Sequence, residues 1–110
     1  MKKIDSDFIR LRDILNAIAD IENFYVSSGL DDRKTLMAIA YSIAIIGEAA
    51  SKISEKVKVE NPEIPWRNIV GVRHRIIHEY GSVDVENLKQ VVESDLVVLK
   101  KKIELILSKF

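Results

Sequence analysis

The chain has 110 residues and a mass of about 12.5 kDa, and its seventeen Lys and Arg side chains balance seventeen Asp and Glu. This size predicts one domain over residues 1–110. Zero net charge argues against coating nucleic acid through bulk charge, although a local basic patch stays compatible with it. The lack of cysteine excludes a disulfide framework, a thiolate nucleophile and a Cys-based zinc site.

The hydropathy pattern indicates a soluble chain. Apolar residues make up 47% of the sequence, which is enough to build a core. No apolar run approaches the roughly 20 residues that span a bilayer. Asp5, Asp7 and Arg10 interrupt any apolar region of a signal peptide. We therefore expect a cytoplasmic protein with no membrane partner.

Apolar residues recur at helical spacing through the first half of the chain. A first helix is predicted from about Asp5 to Ser28, with one face made by Ile4, Phe8, Leu11, Leu15 and Ile18. A second begins at Asp31-Asp32, where carboxylates suit a helix N-terminus. Its apolar seam runs to Val57 and consists of Leu36, Ile39, Ile43, Ile46, Ala50, Ile53 and Val57.

Two more helices are predicted after the break at Pro62 and Pro65. The third runs from Trp66 to Tyr80 and is ended by Gly81. The fourth is capped by Asp84 and has a long apolar row, formed by Val85, Leu88, Val92, Leu96, Leu99, Ile103, Ile106 and Phe110. It also has a second apolar row, made of Val91, Val98 and Leu105. One neighbouring helix cannot cover both rows, so this helix is either central in the bundle or at a subunit interface. We expect an all-α, four-helix up-and-down bundle that forms a homodimer.

The segment from Val72 to Tyr80 concentrates the residues that could carry chemistry. It holds both histidines of the chain, two of its six arginines and one of its three tyrosines. Arg grips a phosphate through a planar fork, His exchanges a proton near neutral pH, and Tyr donates a hydrogen bond or stacks on a base. Together they suit phosphoryl chemistry on RNA.

Two plainer interpretations of this segment stay open. It could be an ordinary surface helix end, with Arg75 and Glu79 paired four residues apart. It could also hold a metal, because His74 and His78 are four apart, with a carboxylate such as Glu48 completing the ligand set.

Helix geometry sets a condition on the catalytic interpretation. At about 100° per residue, Arg73 and His78 would point about 140° apart on one straight helix. A cleft shared by two protomers would suit this spacing better than a monomer.

Three segments of the chain resemble one known family. Arg73, His78 and Tyr80 are similar to the R-x4-H-x-Y signature of the HepT-like toxins in the HEPN superfamily. The sequence Ile46-Gly-Glu-Ala-Ala50 resembles the second-helix segment of that family, and Pro62-Glu-Ile-Pro-Trp66 resembles the lead-in to its motif. Together with the helix order, the likeness covers nearly the whole chain.

This resemblance implies a toxin–antitoxin module and a homodimeric ribonuclease that needs no metal and no cofactor. Arg73 would hold the scissile phosphate, and His78 would activate the ribose 2′-hydroxyl or protonate the leaving oxygen. Tyr80 would be the site at which a minimal nucleotidyltransferase (MNT) antitoxin adds AMP. The added bulk and charge would oppose entry of RNA.

Two further residues are candidates for supporting roles in that site. His74 follows the arginine, where many relatives have asparagine, and could help in catalysis or orient phosphate. Glu48 lies about 60° off the apolar seam of the second helix. It is expected either to be a partly buried carboxylate paired with Arg or Lys, or to orient Arg73 or His78.

These features predict an endoribonuclease that cleaves RNA by transesterification, leaves a 2′,3′-cyclic phosphate and is silenced by AMPylation of Tyr80. One alternative is a non-catalytic helical module that binds nucleotide or RNA and serves as substrate and partner of a nucleotidyltransferase. Another is a purely structural helical adaptor.

Overall fold

A computed structural model describes residues 5–78 and 81–110. Its elements are α1 (Ser6–Ser28), α2 (Arg33–Ser51), α3 (Glu55–Glu60), α4 (Trp66–Val70), α5 (Val72–Ile76), α6 (Val85–Gln90), a π-helical turn (Val91–Asp95) and α7 (Leu96–Leu107). The described residues form no extended strand, and one isolated antiparallel bridge joins Ile77 to Val83. The predicted all-α helical bundle is confirmed. In the described ranges, no helix has both the length and the apolar character required to cross a membrane.

The two long helices at the start of the chain begin where they were predicted to begin, each at an aspartate N-cap. The Asp5 carboxylate accepts a hydrogen bond from the backbone N–H of Asp7 at 2.8 Å, and that of Asp32 accepts one from Thr35 at 3.0 Å. α1 ends at Gly29, whose φ of +66° is a left-handed conformation that favours glycine. Since only four residues connect them, α1 and α2 pack side by side.

The core lies between α1, α2 and α7. α1 contributes Leu11, Ile14, Ile18 and Ile21, all fully buried, whereas Phe8 is exposed and Leu15 half-buried. The buried face of α1 is therefore rotated relative to the predicted one. The seam predicted for α2 is confirmed, with burial of Ile39, Ile43, Ile46 and Ala50.

The second predicted helix is interrupted after Ser51. Residues 52–54 leave the helix, and α3 restarts at its N-cap Ser54. The carboxylate of Asp7 accepts hydrogen bonds from the backbone N–H of Ser54 at 2.8 Å and from its hydroxyl at 2.6 Å. This tertiary bond holds the break in place, and Ile53 and Val57 still reach the core.

The prediction of one helix from Trp66 to Tyr80 is wrong. The segment forms α4 and α5, which meet at Gly71, and the helix ends at Ile76. Ile77 is extended, with φ −106° and ψ 115°, and bridges to Val83. Gly81, with φ +76°, lies in the link between α5 and α6, where its backbone N–H bonds to the carbonyl oxygen of His78 at 3.1 Å, so it does not end α5.

A π-helical turn changes the register of the last helix. The backbone N–H of Leu96 bonds to the carbonyl oxygen of Val91, five residues earlier. This extra residue brings Val91 into the core, where it is 2% exposed, while Val98 and Leu105 stay on the outer face. The second apolar row predicted for this helix is thus split between core and surface.

Candidate functional site

The short helix α5 is positioned by close packing of α4 and α5 against α2. Gly47 of α2 faces the carbonyl oxygens of Ile69 and Val70, and a Cβ at position 47 would lie 3.2 and 3.3 Å from them. Val72 and Ile76 are buried beneath α5. These anchors leave the three residues between them, Arg73-His74-Arg75, exposed.

Arg73, His74 and Glu48 line one open surface groove of about 540 Å³. α1 and α2 form its other walls, with Arg10, Asp13, Tyr41, Ala44, Ile45, Gly47, Ala49, Ser51 and Lys52, and Val70 of α4 completes it. The structure thus brings three of the predicted site residues together. Arg10, Tyr41 and Lys52 were not predicted as part of the site, because their contribution depends on how α1 and α2 pack.

The groove carries both signs of charge. Arg10 pairs with Asp13 at 3.6 Å, and Lys52 pairs with Glu48 at 3.3 Å. Arg73 makes no ion pair with any residue of the described ranges. Among the described residues no acceptor occupies its guanidinium, which can therefore bind a phosphate entering the groove.

Glu48 meets only part of one expectation for it. Its side chain is 69% exposed, so it is not a partly buried carboxylate, although the expected pairing with Lys is present. Within the described residues it makes no hydrogen bond to Arg73 or His78. The reason is that Glu48 lies one turn before Lys52 on the outer side of α2, where the four-residue spacing favours their pairing.

His78 lies beyond the end of α5, in the segment that leads to α6. Its backbone N–H bonds to the carbonyl oxygen of Ser82 at 2.8 Å, and its side chain is 52% exposed. Because the helix stops two residues earlier, the 140° separation from Arg73 predicted for a straight helix does not apply. His78 is not among the described residues that line the groove of Arg73.

The hypothesis of a metal site on one helical face fails for the same reason. His74 is on α5 and His78 is not, so their spacing of four no longer places them on one turn of helix. In the described part of the chain, no group of three or more His, Asp or Glu side chains is arranged to hold a metal.

The imidazole of His78 contacts the carboxylate of Asp84, with 3.4 Å between Nε2 and Oδ2. The same carboxylate caps α6, as predicted, and accepts the backbone N–H of Asn87 at 3.1 Å and its side-chain amide at 2.8 Å. The Asn87 backbone hydrogen bond, together with His78, lowers the pKa of Asp84. The sequence indicated the cap, but the contact with His78 depends on the turn between them.

Arg75 points to the opposite side of α5 from the groove of Arg73. It pairs with Asp95 of the π-turn at 3.8 Å. Both side chains border a second, largely apolar depression of about 340 Å³ between α2 and α7. The predicted pairing of Arg75 with Glu79 involves a residue outside the described ranges, and so does every prediction for Tyr80.

Comparisons with known proteins give one consistent family. A family model described as "HepT-like: Ribonuclease HepT-like" matches residues 14–106. "Probable ribonuclease HepT" of Thermococcus cleftensis is 40% identical over 108 residues, covering 94% of this chain and 96% of the relative. "Putative RNase MJ1380" of Methanocaldococcus jannaschii is 29% identical over 100 residues, covering 87% and 92%. "Putative RNase MJ0125" of the same organism is 31% identical over 101 residues, covering 88% and 87%. No solved structure matches the chain.

Proposed function

Since the chain belongs to the HepT-like ribonuclease family, we propose that it is a metal-independent endoribonuclease whose catalytic residues are Arg73 and His78. The observation that carries the proposal is the guanidinium of Arg73 in an open groove, without an ion pair to any described residue. Exposed His74 lies beside it as a further donor to phosphate. RNA is the proposed substrate class because the matching family is described as ribonuclease and the relatives carry the names probable ribonuclease and putative RNase.

The reaction is an internal transesterification. The ribose 2′ oxygen bonds to phosphorus, the bond from phosphorus to the 5′ oxygen breaks, and a 2′,3′-cyclic phosphate remains. A proton leaves the 2′-hydroxyl and another reaches the 5′ oxygen. His78 carries one of these transfers, while Arg73 stabilises the charge on the equatorial oxygens. In the proposed homodimer, the two His78 side chains, one from each protomer, carry one transfer each.

The active form is proposed to be a homodimer. Within one protomer, His78 is not among the described residues that line the groove of Arg73. A second copy facing the groove would bring its own His78 to that arginine. The groove is bordered by three exposed apolar side chains, Tyr41, Ile45 and Val70. Its ion pairs, Arg10 with Asp13 and Lys52 with Glu48, place both signs of charge on this surface, which suits an interface that pairs with itself across a twofold axis. These features favour the α2 surface over the outer face of α7 as the interface.

We propose that the chain is a toxin regulated by a partner antitoxin, as its resemblance to the HepT-like toxins implies. The phenol oxygen of Tyr80 attacks the α-phosphorus of ATP on a partner nucleotidyltransferase, pyrophosphate leaves, and Tyr80 carries AMP. The new phosphodiester adds a negative charge two residues from His78, and this charge repels the RNA backbone. The support is sequence position: Tyr80 lies between His78 and the glycine turn at Gly81.

The catalytic proposal is tested by cleavage of a single-stranded RNA by the purified chain with EDTA present. Arg73→Ala and His78→Ala should each reduce cleavage at least 100-fold. Arg75→Ala is the matched control, because its side chain points away from the groove, and it should stay within about twofold. Equal cleavage by all four proteins, or 5′-phosphate ends that need a metal, would exclude this mechanism.

The regulatory proposal is tested by intact mass after incubation with ATP and the nucleotidyltransferase. The parent should gain AMP units and lose nuclease activity, and Tyr80→Phe should gain none. Modification of a parent that never cleaves RNA would favour the alternative of a non-catalytic module. Modification that persists in Tyr80→Phe would refute the assignment of the tyrosine.

The interface is tested by light scattering at micromolar concentration. Tyr41 is 70% exposed and Val98 is 53% exposed, so a charge at either position can be accommodated in a folded protomer. Tyr41→Glu should give monomers, whereas Val98→Glu should leave the dimer intact. A dimeric Tyr41→Glu and a monomeric Val98→Glu would show that the interface is on α7. A monomeric parent would contradict the proposal of a site shared by two protomers.

A further inference from the structure

We propose that Asp84 is a positioning residue for His78, holding its imidazole through Nε2 so that Nδ1 is the nitrogen that exchanges a proton with RNA. This inference rests on the proposed ribonuclease function. It adds to that function a residue outside the R-x4-H-x-Y pattern and the choice of reacting nitrogen. The contact of 3.4 Å between His78 Nε2 and Asp84 Oδ2 is its geometric basis.

The carboxylate of Asp84 is held in place by bonds to the chain on both sides of it. Its backbone N–H donates to the carbonyl oxygen of Ile76 at 2.7 Å, which ties the start of α6 to the end of α5. The backbone and side-chain amides of Asn87 donate to Oδ1 and Oδ2. Asn87 also donates to the carbonyl oxygen of Arg75 at 3.4 Å. A carboxylate fixed in this way can orient a neighbouring ring rather than follow it.

The chemistry of imidazole then selects the tautomer. An ionised carboxylate only accepts hydrogen bonds, so the nitrogen facing it carries the proton. With Nε2–H directed to Asp84, the neutral ring has its lone pair on Nδ1, and this nitrogen is the base. When the ring becomes cationic, the same carboxylate stabilises it.

The role of a carboxylate as orienter can be separated from its role as helix cap. Asparagine caps helices as well as aspartate does, so Asp84→Asn preserves the start of α6. If its oxygen keeps the bond from the backbone N–H of Asn87, its amide places an N–H₂ where Oδ2 stood, and the bond that Oδ2 accepts from the Asn87 side chain is lost. That donor requires a lone pair on Nε2, so the variant should favour the Nδ1–H tautomer.

The experiment is ¹⁵N NMR of protein labelled with ¹⁵N at histidine. His74 and His78 are the only histidines in the sequence, so two residues give the signals. His74→Gln assigns the remaining signal. The parent should show His78 as the Nε2–H form, and Asp84→Asn should shift it toward Nδ1–H. In the RNA assay kcat of Asp84→Asn should fall about 10- to 100-fold with KM within about twofold. Asp32→Asn, the same substitution at the N-cap of α2, should leave both readouts unchanged.

The two proposals fail in different ways. A parent with His78 in the Nδ1–H form would overturn the inference, and this measurement needs no variant to fold. An unchanged tautomer and unchanged kcat in Asp84→Asn would overturn it as well. If the parent does not cleave RNA, the proposed function fails, whereas the tautomer still reports whether Asp84 holds the ring.

Discussion

Gly47 packs so closely on Ile69 that a Cβ at position 47 would lie 3.2 Å from the carbonyl oxygen of Ile69. That oxygen belongs to α4, the short helix that directly precedes α5, and α5 carries Arg73. The contact therefore sets the distance between α2 and the segment that bears the proposed catalytic arginine. By comparison, a Cβ at Gly71 would be 3.5 Å from its nearest neighbour, which is ordinary contact. Of these two glycines, only Gly47 is explained by a close backbone approach.

We predict that Gly47→Ala destabilises the protein and Gly71→Ala does not. Pushing α4 away from α2 should cost about 1–3 kcal/mol and reduce RNA cleavage, because Arg73 moves with α4. Gly71 has φ −89° and ψ 3°, which other residues adopt, so alanine there should be neutral or stabilising by up to about 1 kcal/mol. Urea unfolding at one protein concentration measures the free energy of unfolding of both variants. Equal stability of the two variants would contradict the close contact.

The π-turn gives a second prediction, for two valines seven residues apart. Val91 is 2% exposed and Val98 53% exposed. Val91→Ala should lower the free energy of unfolding by about 1.5–3 kcal/mol through lost burial and the cavity left behind. Val98→Ala should change it by less than about 0.5 kcal/mol. In a regular α-helix the two valines would lie on the same face and be buried to a similar degree. Equal changes in unfolding free energy would therefore argue against the π-helical turn.

The cap of α2 predicts a dependence of stability on pH. Hydrogen bonds from the Thr35 side chain, first, and from its backbone N–H lower the pKa of Asp32 below its ordinary value of 3.8. The stabilisation by the ionised carboxylate is present above that value and is lost as the pH falls through the lower, folded-state pKa. The difference in unfolding free energy between the parent and Asp32→Asn should therefore shrink from pH 6 to pH 3. The control is Asp31→Asn. The carboxylate of Asp31 accepts no hydrogen bond from the described residues, so the difference in unfolding free energy between the parent and this variant should change less over the same pH range.

The groove predicts which lysines contact RNA. Lys52 lines the groove of Arg73, whereas Lys101 lies exposed on α7. Lys52→Ala should weaken RNA binding several-fold and reduce the slope of log affinity against log salt by about 0.7, the value for one phosphate of a single strand. Lys101→Ala should change neither quantity. Titrations of an uncleavable RNA at several salt concentrations measure the slopes, and equal slopes for both variants would place RNA elsewhere.

Local sequence signals located most helix starts correctly. Asp84 caps the helix that it was predicted to cap, and the first two helices start at Asp5 and Asp32 as predicted, because a cap is a bond between residues two or three apart. The predicted seam of α2 is likewise buried, since periodicity over five turns leaves one possible inner face. Helix interruptions were missed where tertiary bonds cause them, as at Ser54, which is held by Asp7.

The all-α class, the starts of the four predicted helices and the residue types gathered between positions 72 and 80 could be predicted from the sequence, because spacing and short-range bonds are local to the chain. The opposite orientations of Arg73 and Arg75, the exposure of Glu48 and the contact of His78 with Asp84 are visible only in the folded chain. The end of α5 and the link to α6 depend on packing and on bonds between backbone groups, which side-chain periodicity does not report. Once His78 leaves the helix, its neighbours follow from the path of the chain rather than from spacing along it.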